Sequence, residues 1–413
     1  MADSFIVSDV RIFTGEDVIE NGFVVVSDSK IKSFDSGPAP KDSTATVISK
    51  PGHTLLPGLI DAHIHADKGN PLALTQALRF GVTTVMDMHN EPRNISKLST
   101  LAAESKEAAD IKFALLGACI ENGWPVPVVT AHDKSAETMA EIAAWPRLTN
   151  GEEAAAYVAS AVAGGASYIK LMHESGTAMG QQFAHPTQEL QEAVVRAAHE
   201  HGKPAVAHAT CLADTLTVLR AGVDGLTHTF CDQPPTQELT DAYKANNAWV
   251  NPTLAALGSL TKEGQAIAER FAHDPRVEGR IDEGGKQRLC QCMGFSAGIG
   301  KVEYGYESVR QLKAAGIDVI CGSDSAGPAL GTAFGLSIHH ELYLMVTYCG
   351  FTPQEALRSA TSVTARRFGF NDRGQIAEGL KADLTLVEGN PLENIDATLN
   401  LRSVWRDGHQ LAL

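Results

Sequence analysis

The stretch LLPGLIDAHIHAD, residues 55–67, ends an apolar run with two histidines one residue apart. Side chains alternate faces along a strand, so His63 and His65 project from the same side. Two imidazoles side by side on one face of a buried strand make half of a metal site. The other half has to come from elsewhere in the chain.

Before this stretch, residues 4–56 read as short strands. FIVSDVRIF, GFVVVSDSKIKSF and ATVISKPGHTLLP are rich in Val, Ile and Phe and are punctuated by Gly, Pro and Ser. After it, apolar strands alternate with helical stretches, the pattern of βαβ units and a parallel sheet. Strands are expected at 58–65, 82–88, 111–118, 168–172, 204–209, 225–228, 249–254 and 319–324. Eight strands with helices between them are the count of a TIM-type (β/α)8 barrel. The tail, RGQIAEGLKADLTLVEGNPL followed by LRSVWRDGHQLAL, returns to short strands. The expected architecture is therefore α/β: a barrel over 57–369 and a small β-sandwich domain built from both termini, 1–56 and 370–413. Two long connections, 119–150 and 255–307, follow barrel strands, where lids and specificity walls are found.

In such a barrel the C-terminal strand ends meet at one face, and active sites sit there. His63 and His65 end the first strand, and Lys170 lies in the fourth. His208 closes the fifth, His228 the sixth and Asp324 the eighth. Each is a polar group in an apolar strand, where a bare charge is costly to bury. Taken singly, each has a bland reading: a hydrogen-bonded core histidine, a snorkelling lysine, an N-cap aspartate. Together, at five strand ends of one barrel, they predict a metal centre.

The same residues resemble the amidohydrolase superfamily, and its binuclear branch in particular. PGLIDAHIH resembles its first-strand motif and GVTTVMD, 81–87, its second strand. GQIAEGLKADLTL, 374–386, resembles its return segment into a small β-sandwich. A strand-four lysine followed by histidines at 208 and 228 is similar to the Xaa-Pro dipeptidase, imidazolonepropionase-like and ochratoxin-hydrolase-like members. The resemblance implies that His63, His65 and Asp324 hold the more buried of two divalent metal ions, and that His208 and His228 hold the more exposed. It also implies that Lys170, carboxylated by carbon dioxide, bridges them. An ammonium has no lone pair, whereas a carbamate is an anion with two donor oxygens. Imidazole and carboxylate donors suit Zn²⁺, with Mn²⁺, Co²⁺ and Fe²⁺ as alternatives. The implied chemistry is hydrolysis of a C–N amide bond by a metal-activated hydroxide. Asp324 takes the proton and passes it to the leaving amine. The substrate expected is a small molecule: an N-acyl amino acid, a dipeptide or an amide-linked natural product such as ochratoxin. A deaminase or a cyclic amide or lactone hydrolase of the same superfamily is the alternative, and a metal-free scaffold the remote one.

Other polar residues are candidates for substrate contact: His173, after the lysine strand in LMHESG; His132, on the 119–150 connection; and His89, in MDMHNEP. Tyr304 and Tyr306 are placed just before a helix. His339 and His340, in GLSIHHEL, are read as packing. Trp124, beside Pro125 and Pro127, marks a rigid loop.

Composition narrows the setting. Lys and Arg number 34 against 49 Asp and Glu, a formal charge of −15. That balance argues against nucleic acid or an anionic membrane as partner. Seven scattered cysteines, an odd number, argue against a disulfide framework. MADSFIVSDVRIF reads as neither a signal peptide nor an anchor. A cytoplasmic homo-oligomer is expected.

Overall fold

The structure is a computed structural model that describes residues 4–41 and 45–411. Met1, Ala2 and Asp3, on which part of the N-terminal reading rests, lie outside the described residues, as do 42–44 and 412–413 of the terminal unit.

The barrel strands form two parallel four-stranded sheets. One runs Ser325–Ala326, Leu59–His65, Val82–Asp87, Asp110–Phe113; the other runs Trp249–Asn251, Gly225–Thr227, Ala205–His208, Ile169–Met172. Irregular backbone joins them at both seams. At the first, the Ala118 N–H donates to Lys170 O (2.7 Å) and the Met172 N–H to Ala118 O (3.2 Å). At the second, the Ile320 N–H donates to Val250 O (2.9 Å), the Ala62 N–H to Cys321 O (3.0 Å) and the Asp324 N–H to His63 O (2.8 Å). The result is the (β/α)8 barrel.

The eighth strand is a correction to the expected one at 319–324. Only Ser325–Ala326 has regular strand geometry, although 318–324 bridges its neighbours. Gly322 passes so close to the first strand that a Cβ there would stand 2.7 Å from the His63 backbone nitrogen. The third strand is also shorter than expected, at Asp110–Phe113. Leu115, at φ 62°, turns the chain out of the extended region. The second long connection carries helix, as expected there, at Leu254–Thr261, Gln265–Ala272 and Glu283–Leu289, and the first carries helices that residue spacing did not reveal, Val126–His132 and Ala136–Ala143. Tyr304 and Tyr306 lie inside the helix Val302–Ala314 rather than before it. Tyr306 is buried and stacked on Tyr348 at 4.8 Å.

Alternation along the strands sorts core from site. Ile64, Ile169, Leu171 and Ala207 pack outward into the layer under the helices. Ile60, Val206, Trp249 and Ile320 fill the barrel interior. Lys170, between the outward Ile169 and Leu171, is carried toward the barrel axis by the period of two, whereas His63 faces the same way only after the register shifts between Asp61 and Ile64; both are buried.

The terminal strands form one sheet in the order His409–Leu411, Leu401–Arg406, Leu384–Glu388, His53–Pro57, Phe5–Phe13, Val18–Ser27, Lys30–Ser36, with Thr46–Ser49 also paired to Phe5–Phe13. It folds over on its own core: Phe5 stacks on Trp405 at 5.5 Å although two strands lie between theirs. Among the described residues no helix is long and apolar enough to cross a membrane.

Candidate metal centre

Six polar residues that are far apart in the chain meet at one barrel mouth. His63 Nε2 lies 3.1 Å from His65 Nε2 and 3.2 Å from Asp324 Oδ1, and His65 Nε2 lies 3.4 Å from the same oxygen. Donors 2.0–2.2 Å from a tetrahedral cation stand about 3.3–3.6 Å from each other, so this triangle fits one metal ion. The His63 ring centroid is 5.0 Å from that of His228, which is 4.7 Å from that of His208. His228 Nδ1 is 3.9 Å from Asp324 Oδ2. Asp324 and His228 both adopt left-handed backbone, φ 53° and 76°, a conformation that side chains disfavour and that surrounding structure must hold.

Electrostatics follow from burial. His63, His208 and His228 are all pushed well below the usual imidazole range, first by desolvation, so they are neutral and carry a free lone pair. Burial disfavours the Asp324 anion, yet the imidazoles of His228, His65 and His208 hold its carboxyl below the usual range. Its side chain is 20% exposed, which puts it where substrate and water arrive. Lys170 is 1% exposed, contacts the Thr227 hydroxyl and has no carboxylate within ion-pair distance among the described residues. Burial lowers its ammonium to about 7.

The remaining candidates separate. His173 is buried, with Nε2 3.5 Å from Asp214 Oδ1 and Nδ1 3.4 Å from Gln191 Nε2. His89 is also buried: its Nδ1 accepts the Gly117 N–H (2.9 Å), and its ring stands edge-on to Trp145 at 4.7 Å. His132 is exposed at its helix end, 6.0 Å from the Phe295 ring. The structure therefore brings the six strand-end residues together, and it places His173 and His89 in packing contacts.

Several residues pack against the cluster in ways the sequence did not signal. Trp124 stacks on His208 (5.1 Å, 22°) and touches Phe183 (6.0 Å). Thr253 lies 2.7 Å from His228 Nδ1 through its hydroxyl. The buried Glu341 carboxylate accepts the N–H groups of Leu254 and Ala255 (2.8 and 2.9 Å), fixing the turn that carries Thr253. These contacts join segments distant in sequence, and no spacing encodes them.

A profile of the amidohydrolase family matches residues 54–411, almost the whole chain. The chain belongs to the amidohydrolase family. Among relatives of this amidohydrolase, Aspergillus niger ochratoxinase is 26% identical over 259 residues, covering 59% of this chain and 46% of that protein. Its crystal structure superposes with a TM-score of 0.73 at 20% identity, over 99% and 95% of the two chains. A Xaa-Pro dipeptidase with methionine bound in its active site gives a TM-score of 0.76 at 22% identity, over 100% of both chains. The N-acetylglucosamine-6-phosphate deacetylase of Bacillus subtilis is 35% identical over 120 residues, 29% of each chain. By sequence the matches span less than half the length of these curated relatives.

Proposed function

We propose that this amidohydrolase is a binuclear metal-dependent hydrolase of C–N amide bonds. Its substrates are N-acyl amino acids, dipeptides or amide-linked compounds of that kind. The observation that supports it most is the donor set: a three-atom triangle of cation-ligand dimensions, the His228 imidazole in ring contact with it and that of His208 in ring contact with His228, and a buried lysine with no carboxylate partner among the described residues.

His63, His65 and Asp324 hold one divalent cation, zinc being the first choice, and His208 and His228 hold the other, with Lys170 as a carbamate between them. Bound there, the cations supply Lewis acidity that lowers the pKa of water and polarises a carbonyl. Asp324, partly exposed and held as an anion, accepts the proton from the attacking water and delivers it to the leaving nitrogen. Similarity to an ochratoxinase and to a Xaa-Pro dipeptidase supports amide cleavage. Lys170 favours this reading over deamination at a single-metal centre, which needs no bridging anion.

Carbamate formation needs a neutral amine, because the nitrogen lone pair attacks carbon dioxide. With the Lys170 ammonium lowered to about 7, the fraction of amine rises with pH below that value and levels off above it. At a fixed concentration of dissolved carbon dioxide, the rate at which zinc reactivates stripped enzyme is therefore expected to rise about tenfold per pH unit below 7 and to flatten above it. Intact-mass measurement of the carbon dioxide adduct follows the same curve. A profile without a break near neutrality removes the neutral-amine step.

Trp124, stacked on His208, and Phe183, against Trp124, are both half-buried and form an apolar wall that suits an aromatic or bulky apolar substituent. At saturating zinc, which offsets any loosening of His208, Trp124→Ala is expected to raise KM about tenfold for an N-aroyl amino acid and much less for N-acetyl analogues. Equal loss on both substrates counts against the wall. The function itself is tested by screening N-acyl amino acids, dipeptides and aryl amides with zinc-loaded and chelator-stripped protein. Hydrolysis that is lost with the metal and restored by it supports the proposal, and metal-independent hydrolysis of the same amides defeats it.

A further inference from the structure

Glu174 is 0% exposed in the loop that follows the lysine strand Ile169–Met172. Its Oε1 accepts the Gly176 N–H (2.8 Å). Its Oε2 accepts the Thr210 hydroxyl (2.5 Å) and lies 3.2 Å from His208 Nε2. No lysine or arginine pairs with it among the described residues. Asp214 braces the same loop by accepting the Ser175 N–H at 2.8 Å. Trp124 covers one face of the His208 ring. The imidazole is thus held by an indole across one face and by a carboxylate at one nitrogen.

A carboxylate can only accept, so the nitrogen facing it bears the proton. In a neutral ring the other nitrogen, Nδ1, then keeps the lone pair. His228 is held the opposite way, through Nδ1 by Thr253, which leaves its Nε2 free. Resting on the binuclear reading above, we infer that Glu174 is a positioning residue for the second cation. It fixes His208 as the Nε2–H tautomer, so that Nδ1 is the atom offered to the metal, and its charge strengthens that nitrogen as a donor. The buried anion, which has no cationic side chain beside it, is matched when a divalent cation occupies the His208–His228 position.

Glu174→Gln and Glu174→Ala test this in the full-length chain, stripped of metal and titrated with zinc against a chromophoric chelator. The wild type takes two equivalents. Both variants are expected to bind the first as the wild type does and the second about 10–100-fold more weakly. The glutamine variant discriminates. It keeps the volume of Glu174 and the contact with Gly176, so a mere packing role leaves its second-site affinity unchanged. Positioning predicts a loss, because an amide NH₂ opposite Nε2 donates to it and moves the ring proton to Nδ1. Proton–nitrogen correlation spectra of histidine-labelled protein report that tautomer directly, with His208 assigned by its disappearance in His208→Asn. A glutamine variant with wild-type affinity for both zinc ions and an unchanged His208 tautomer overturns the inference. A wild-type chain that takes up no zinc overturns the functional reading on which it rests.

Discussion

Asp324→Asn is expected to leave a folded protein with kcat reduced by about 10³-fold or more. In the proposed mechanism the carboxylate has two tasks, and asparagine performs neither well. One oxygen stands within 3.4 Å of both His63 Nε2 and His65 Nε2, so the amide removes an anionic donor from the ligand triangle. The amide also cannot accept and return the proton of the attacking water, a task that contributes about 10²–10⁴-fold where a single side chain performs it. The two losses separate experimentally. Excess zinc refills a weakened site and recovers the first, whereas the proton-transfer defect persists at saturating metal. A zinc-saturated variant with near-native kcat removes Asp324 from the role of general base.

Lys170→Met is expected to abolish measurable hydrolysis and, in the same experiment, to make the metal-free chain more stable. An amine at 1% exposure with no acidic partner among the described residues is held in the barrel at a cost in stability. Methionine is of similar length, carries no polar group and fits irregular apolar space. The metal-free variant should gain about 1–3 kcal/mol in denaturant unfolding, while the zinc taken up falls below two equivalents. Opposite signs for stability and function are the mark of a residue retained for chemistry. A Met variant that is less stable without metal shows instead that Lys170 makes contacts the barrel needs.

The six strand-end residues were legible because a strand has a period of two and an apolar strand has few reasons to end in a charge. His63 and His65 announced themselves by spacing, and His208, His228, Lys170 and Asp324 by chemical incongruity with their neighbours. The barrel itself was legible from the alternation of strand and helix. What was hidden depends on contacts between distant segments. The eighth strand is mostly irregular backbone, carried by hydrogen bonds to Val250, Ala62 and His63, so its sequence gives a strand where the geometry gives a bridge. Trp124 reads as part of a rigid loop, and only the fold shows it lying on His208. His173 and Glu174 are adjacent and equally polar, yet one packs against Asp214 and Gln191 while the other faces the His208 ring. Nothing in LMHESG distinguishes them, because the difference lies in which neighbouring element each one meets: the helices Gln188–Glu200 and Leu212–Arg220 for His173, and the strand end at His208 for Glu174.

The central claim, that these six side chains hold a pair of cations, is tested most directly by anomalous scattering from crystals of the zinc-loaded protein. Two peaks are predicted at the barrel mouth, one within ligand distance of His63, His65 and Asp324 and one within ligand distance of His208 and His228, with continuous density from Lys170 between them. A single peak, or zinc bound only at sites remote from these residues, contradicts the account.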